Sequence, residues 1–163
     1  MDNLNDKQKY MEEKIKYVMA RLAGDSSPDR VEKMMKPYFI SCNYEEKTLT
    51  VGYDVAQWEL NPQGVFHGGL TTTAFDNAFG LLTHFFADET FVTTVEIAVH
   101  FHKAIQLGDK LVVNVKATHI GRTLAGYTGE LRIANRDNIL AATGSTTFMI
   151  LQGKKSELLD TTK

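Results

Sequence analysis

The sequence predicts an α+β fold, a curled antiparallel sheet wrapped around one long central helix, with an N-terminal helical extension. Three observations carry this. Apolar residues between Gly69 and Phe86 go all round a helix, which marks a helix buried on most sides. Everything after Phe86 alternates with period two, the signature of half-buried strands. Two more alternating segments precede the helix, so only a single sheet curling round it can cover it.

The elements follow in order. Met11, Ile15, Val18 and Leu22 recur on one face, with Lys and Glu on the other, and Gly24 ends this first helix. In "SSPDRVEKMM", Ser27 is a candidate N-cap and Pro28 a first helical residue, so a short second helix runs to a stop at Pro37. From Tyr38 the period changes. "TLTVGYDV" alternates strictly, with "YFISCNY" as its hairpin partner through "EEK". Residues 56–66 form a loop, and the long helix spans roughly 27 Å. Four strands follow: "TTVEIAVHF", "KLVVNVKATH", "LAGYTGELRIA" and "ILAATGSTTFMIL". In the first, Val95, Ile97, Val99 and Phe101 oppose Thr94, Glu96, Ala98 and His100. The connectors "LGD", "IGR" and "NRDN" are short, so consecutive strands are expected to pair as hairpins.

Composition narrows the function. The chain has 163 residues, 43% hydrophobic and 23% charged, with a net charge of −2. That suits one globular domain and gives no basic field for nucleic acid or anionic membrane. Cys42 is the only cysteine, so no intrachain disulfide forms. "MDNLNDKQKYMEEK" is too polar for a signal peptide, and no apolar run approaches the roughly 18 residues of a membrane span. The chain reads as a soluble cytoplasmic protein without repeats.

The chemistry concentrates in Asn61–Asp76, "NPQGVFHGGLTTTAFD". Gly68 and Gly69 sit where a loop enters the buried helix. Bare N–H groups in a helix's first turn suit a developing oxyanion, and the missing Cβ lets a ligand oxygen come close. The plain alternatives are a tight turn at the glycines and a capping role for His67. Asp76 is sharper: it stands between Phe75 and Asn77 among apolar neighbours, and a buried carboxylate is costly unless paired. Asn77 is either its partner or part of the same polar seam. Asp76 lies eight residues past Gly68, about 12 Å along the helix axis. A base that far from the oxyanion donors cannot serve the carbonyl they hold. An antiparallel copy of the helix across a two-fold axis brings one subunit's Asp76 to the other's Gly68, so a symmetric dimer carries two composite sites.

Together, "NPQGVFHGGLTTTAFDNAFG", "TTVEIAVHFHKAIQLGD" and "HIGRTLAG" resemble the hotdog-fold acyl-CoA thioesterases, in the branch of the phenylacetate-pathway thioesterase. The resemblance covers roughly residues 45–150. It implies an N-terminal helical extension over 1–36, a hotdog thioesterase domain over 37–152 and a polar C-terminal tail over 153–163. It also implies hydrolysis of acyl-CoA to a carboxylic acid and CoA, with no cofactor and no metal, CoA being part of the substrate. By matching position, Asp76 is general base or nucleophile and Gly68 supplies the oxyanion N–H, while Asn61 and His67 shape the loop and help hold thioester or water. Thr94 orients water beside the carboxylate. Gly69 and Asn77 line the same site. Phe101 and the run Gly121, Arg122, Thr123 and Leu124 border CoA, with Arg122 as phosphate partner. The family is dimeric, often a dimer of dimers. The chain departs from its pattern at Ala104, where a Pro is usual, and at Glu96, where a shorter Asp is common.

Other readings are weaker. His100 and His102 share a strand face, but no third ligand for a metal stands near them in sequence. His84 suits a packed polar contact and His119 a phosphate flank. The alternative from another class is a non-catalytic acyl-CoA-binding or regulatory module, which has no need of Asp76. A hydratase of the same fold needs an acid/base pair that the motif does not match. The acyl group itself stays open.

Overall fold

In the computed structural model, residues 3–24, 30–88 and 90–155 are described. The period-two residues form a six-stranded antiparallel sheet, in the order β1-β2-β4-β5-β6-β3. Its strands are β1 (Tyr38–Asn43), β2 (Thr48–Asp54), β3 (Thr90–Phe101), β4 (Lys110–Ile120), β5 (Leu124–Ile133) and β6 (Ile139–Lys155). The helices are α1 (Leu4–Gly24), α2 (Val31–Met35) and α3 (Gly68–Phe86). The expected cap Ser27 and first-turn Pro28 of α2 lie outside the described residues.

The alternation sets where the core sits. Leu49 and Val51 of β2, Leu111 and Val113 of β4, and Leu131 and Ile133 of β5 are all fully buried on the face turned to α3. Ala74, Phe75, Ala78, Phe79 and Leu82 of α3 meet them, also fully buried. Two glycines set how closely the helix seats. Gly129 and Gly144 are register partners on β5 and β6. A Cβ on Gly144 would come 3.1 Å from the Phe75 ring, and one on Gly129 3.2 Å from it. The ring therefore lies on bare backbone, where a side chain would make it give by a few tenths of an ångström.

α1 packs its predicted stripe inward, with Met11, Ile15 and Val18 buried. It is tied to the β1 edge by one side chain. Gln8 Nε2 donates to the Cys42 carbonyl at 2.9 Å, and Gln8 Oε1 accepts from the Tyr44 N–H at 2.7 Å. The other edge, β3, stays open, with Phe91, Val95 and Phe101 exposed.

Two expectations are corrected. β3 and β4 are not hairpin partners: β3 pairs with β6, while β4 pairs with β2 and β5. The "LGD" turn closes only locally, within a connector that crosses the end of the sheet from one half to the other. That crossing is pinned by Phe66 N–H to the Ile105 carbonyl at 2.9 Å and Val55 N–H to the Asp109 carbonyl at 3.0 Å. The almost fully buried Asp109 accepts from Arg136 Nη1 at 3.0 Å and from the Gln106 N–H at 2.8 Å. Second, β3 does not alternate strictly. Its register with β6 shifts between Thr94 and Glu96, so a bulge at Val95 places Thr94 and Ile97 on the same, inward face. α3 is buried on most sides, as its apolar spread predicts. Asp76, Asn77, Gly80 and His84 are only half-buried, one seam along the helix.

Candidate active site

The loop 61–67 is built by short-range hydrogen bonds. Asn61 Oδ1 accepts from the N–H groups of Gln63 at 2.9 Å and Val65 at 3.3 Å. The Asn61 N–H donates to the Val65 carbonyl at 2.7 Å, and Gly64 completes the turn with φ +77°. Asn61 therefore shapes the loop, an Asx-type turn. His67 then caps α3: its Nδ1 accepts from the Gly69 N–H at 2.9 Å, which assigns the neutral ring's proton to Nε2. Its carbonyl takes the N–H groups of Leu70 and Thr71. The Gly69 donor is thus spent on the cap. No acceptor for the Gly68 N–H is found among the described residues, and this group heads the helix where the dipole favours negative charge. A Cβ on Gly68 would lie 3.4 Å from Phe101 Cζ, so that ring stands beside the free donor.

Asp76 sits on the seam of α3. Its Oδ1 accepts from the Thr94 hydroxyl at 2.9 Å, a contact that depends on the Val95 bulge. The expectation of a buried carboxylate is softened, since Asp76 is half-buried. It opens on a cavity of about 560 Å³ enclosed by α1, α2, α3 and β3. Asn77 and Thr94 line the same cavity. Asn77 does not bond to Asp76: it faces the buried Tyr53 hydroxyl, whose pKa is pushed up by burial and drawn down by the Asn77 amide.

The two halves of the predicted site lie apart within one chain. Phe101 pairs with Ala142, whereas Thr94 pairs with Phe148. That puts about 20 Å of strand between Phe101 and Thr94, while Gly68 and Asp76, which neighbour them, stand about 12 Å apart along α3. The 121–124 turn belongs to the Asp76 end, because Leu124 and Thr93 both pair with Met149. Its backbone is held from β6, where Ile150 N–H reaches the Thr123 carbonyl at 2.8 Å and Gln152 Nε2 the Arg122 carbonyl at 2.6 Å. Gly121 is packed too tightly for a side chain, since a Cβ would come 2.9 Å from the Leu124 carbonyl oxygen. The Arg122 side chain is exposed, and its guanidinium has no partner among the described residues. Thr123 and Leu124 are exposed beside it.

One supporting residue gave little signal in the sequence. Glu59 is 2% exposed, its Oε2 accepting from the Ala56 N–H at 2.7 Å, and burial pushes its pKa up. Its carbonyl takes the His67 N–H at 2.8 Å, so it anchors the capping histidine. Its spacing from Ala56 gives only half of a capping box, since Ala56 has no side-chain acceptor.

A family model described as the thioesterase superfamily matches residues 63–139, the stretch from the Asn61 turn through β5. The matched stretch is a little under half of this chain. Its hotdog fold agrees with the E. coli PaaI protein from the phenylacetic acid degradation operon. That superposition has a TM-score of 0.70 and 17% identity, covering 87% of this chain and 99% of the other. A second hotdog structure, smu.793 from Streptococcus mutans UA159, was solved bound to acetyl CoA. It gives a TM-score of 0.66 at 22% identity, over 80% of this chain and 98% of that one. A Deinococcus radiodurans protein described as a supposed esterase is 32% identical over 91 residues, 56% of this chain and 60% of the relative. The chain spans about three fifths of that relative's own length.

Proposed function

We propose that this chain is an acyl-CoA thioesterase of that superfamily, working through composite sites in a symmetric dimer. The observation that carries the reading is the Thr94–Asp76 hydrogen bond of 2.9 Å at the wall of the 560 Å³ cavity. A carboxylate held by a hydroxyl donor keeps its second oxygen for a water. Asp76 takes that water's proton as the oxygen attacks the thioester carbonyl, or attacks the carbon itself to give a mixed anhydride that water then hydrolyses. The facing protomer's Gly68 N–H stabilises the oxyanion, the C–S bond breaks, and CoA leaves as the thiol after reprotonation. Arg122 pairs with CoA phosphate, a bidentate match for guanidinium, and Phe101 borders the pantetheine path. The hotdog structure solved with acetyl CoA supports this ligand class.

The pairing follows from the open edge. β3 exposes Val95 at 53% and Phe101 at 59%, with an unpaired backbone that accepts a second β3. Antiparallel pairing brings the Gly68 end of one chain against the Asp76 end of the other. In a thiol-release assay on acyl-CoA, Asp76→Asn lowers kcat roughly 10²- to 10⁴-fold while CoA still binds. Turnover close to wild type in that variant removes the assigned base. A wild-type chain that binds acyl-CoA without turnover favours the binding-module alternative.

A further inference from the structure

Gly80 sits one turn past Asp76, in the middle of α3, on the half-buried seam that ends at His84. Glycine is the poorest helix former after proline, so a mid-helix glycine needs a reason. The usual reasons are missing. Its φ is not positive, and a Cβ built there meets no atom within 4 Å. Contrast Gly129 and Gly144, where a Cβ would strike the Phe75 ring. Neither backbone nor packing in this chain asks for glycine at 80. The space it leaves is part of the cavity that Asp76 faces.

Across that space stands α1. Val18, Met19 and Leu22 form the opposite wall, Leu81, Val92 and Phe148 close the apolar part, and Arg30, Glu32, Lys33 and Lys36 also line the cavity. Met19 is a wall that adapts to different occupants. The volume, about 560 Å³, is several times the roughly 150 Å³ of an apolar cavity that takes benzene.

We infer that Gly80 is a specificity residue: it opens a channel from Asp76 between α3 and α1 for the acyl group, and that group is a bulky apolar one, a medium chain or an arylacyl. This rests on the thioesterase reading. The acyl carbon lies at Asp76, the chain runs over Gly80 toward His84, and the N-terminal helix of the same protomer covers it. Acetyl does not reach Gly80, so the two ends of a substrate panel report on different parts of the site.

The test compares Gly80→Ala with wild type on acetyl-CoA, octanoyl-CoA and phenylacetyl-CoA. The added methyl should raise the thermal midpoint, because alanine favours the helix. It should also lower kcat/KM for octanoyl- and phenylacetyl-CoA by roughly tenfold, leaving acetyl-CoA within about twofold. Met19→Trp, on the facing wall, should give the same split. Equal loss on all three substrates, or no change on any, overturns the channel. So does a Gly80→Ala chain whose sedimentation changes, since Gly80 would then be seating a second copy. If wild type hydrolyses none of the panel, the thioesterase reading fails by itself. Calorimetric binding of octanoyl-CoA to both chains then decides the channel, which stands only if Gly80→Ala weakens it.

Discussion

His84 shows what a single side chain on the seam does to the folded state. Its Nδ1 is buried without a partner among the described residues. Burial pushes its pKa below the ordinary 6.5, with a hydrogen bond at the Thr90 backbone pulling the other way. The unfolded chain therefore binds a proton near 6.5 that the folded chain refuses until lower pH. Stability is complete above that value and declines as the pH falls through the window beneath it. Glu59 acts in the opposite sense: burial raises its pKa above 4.5, so its folded form is favoured while protonated and loses ground as the pH rises through that range. Thermal midpoints measured between about pH 7.5 and pH 5 should fall in wild type and flatten in His84→Phe. An equally steep fall in that variant would assign the dependence to another group.

The elements were legible where one physical signal dominated. α1 and α3 were readable because their apolar spacing is helical, and β2 because Leu49, Val51 and Tyr53 alternate without a break. The partner of β3 was not. A period-two pattern says which face is buried and nothing about which neighbour supplies the ladder. A short Gly-Asp turn looks alike at a hairpin and within a crossover. The Val95 bulge was hidden for the same reason, since an extra residue leaves no compositional mark. The seating of α3 on Gly129 and Gly144 was also beyond reach, because it joins three distant elements. It makes a firm forecast: Gly144→Ala pushes a methyl into the Phe75 ring and should cost about 1–3 kcal/mol of unfolding free energy. Denaturant titration measures this, and an unchanged midpoint would mean that the ring moves aside freely.

At the scale of the molecule, the separation of the candidate site residues was legible as a distance. Asp76 and Gly68 fall on one helix, so counting residues already set them apart, and the β3 register with β6 repeats the result along the sheet. Thr94 was legible only through resemblance, because strict alternation would have turned it outward. The composite site can be tested by subunit mixing. Gly68 is the first residue of α3 and follows His67 at φ −64°, ψ 129°, a backbone that accepts proline next. Gly68→Pro deletes the N–H with the helix kept, and should lower kcat about 10²- to 10³-fold. Unfolded and refolded together with Asp76→Asn, it should regain about a quarter of wild-type activity, since half the dimers are mixed and each has one intact site. No recovery in refolded mixtures that sedimentation shows to contain mixed dimers would place both groups in one chain.

The bare edge of β3 reaches beyond catalysis. A freshly synthesised copy carries a long row of unpaired amides and carbonyls beside exposed Phe91, Val95 and Phe101. Any extended strand can dock there, correct or not. In the proposed dimer, the interval between release from the ribosome and capture of that edge is therefore when misassembly threatens the protein most. Copies made side by side on one message would shorten it.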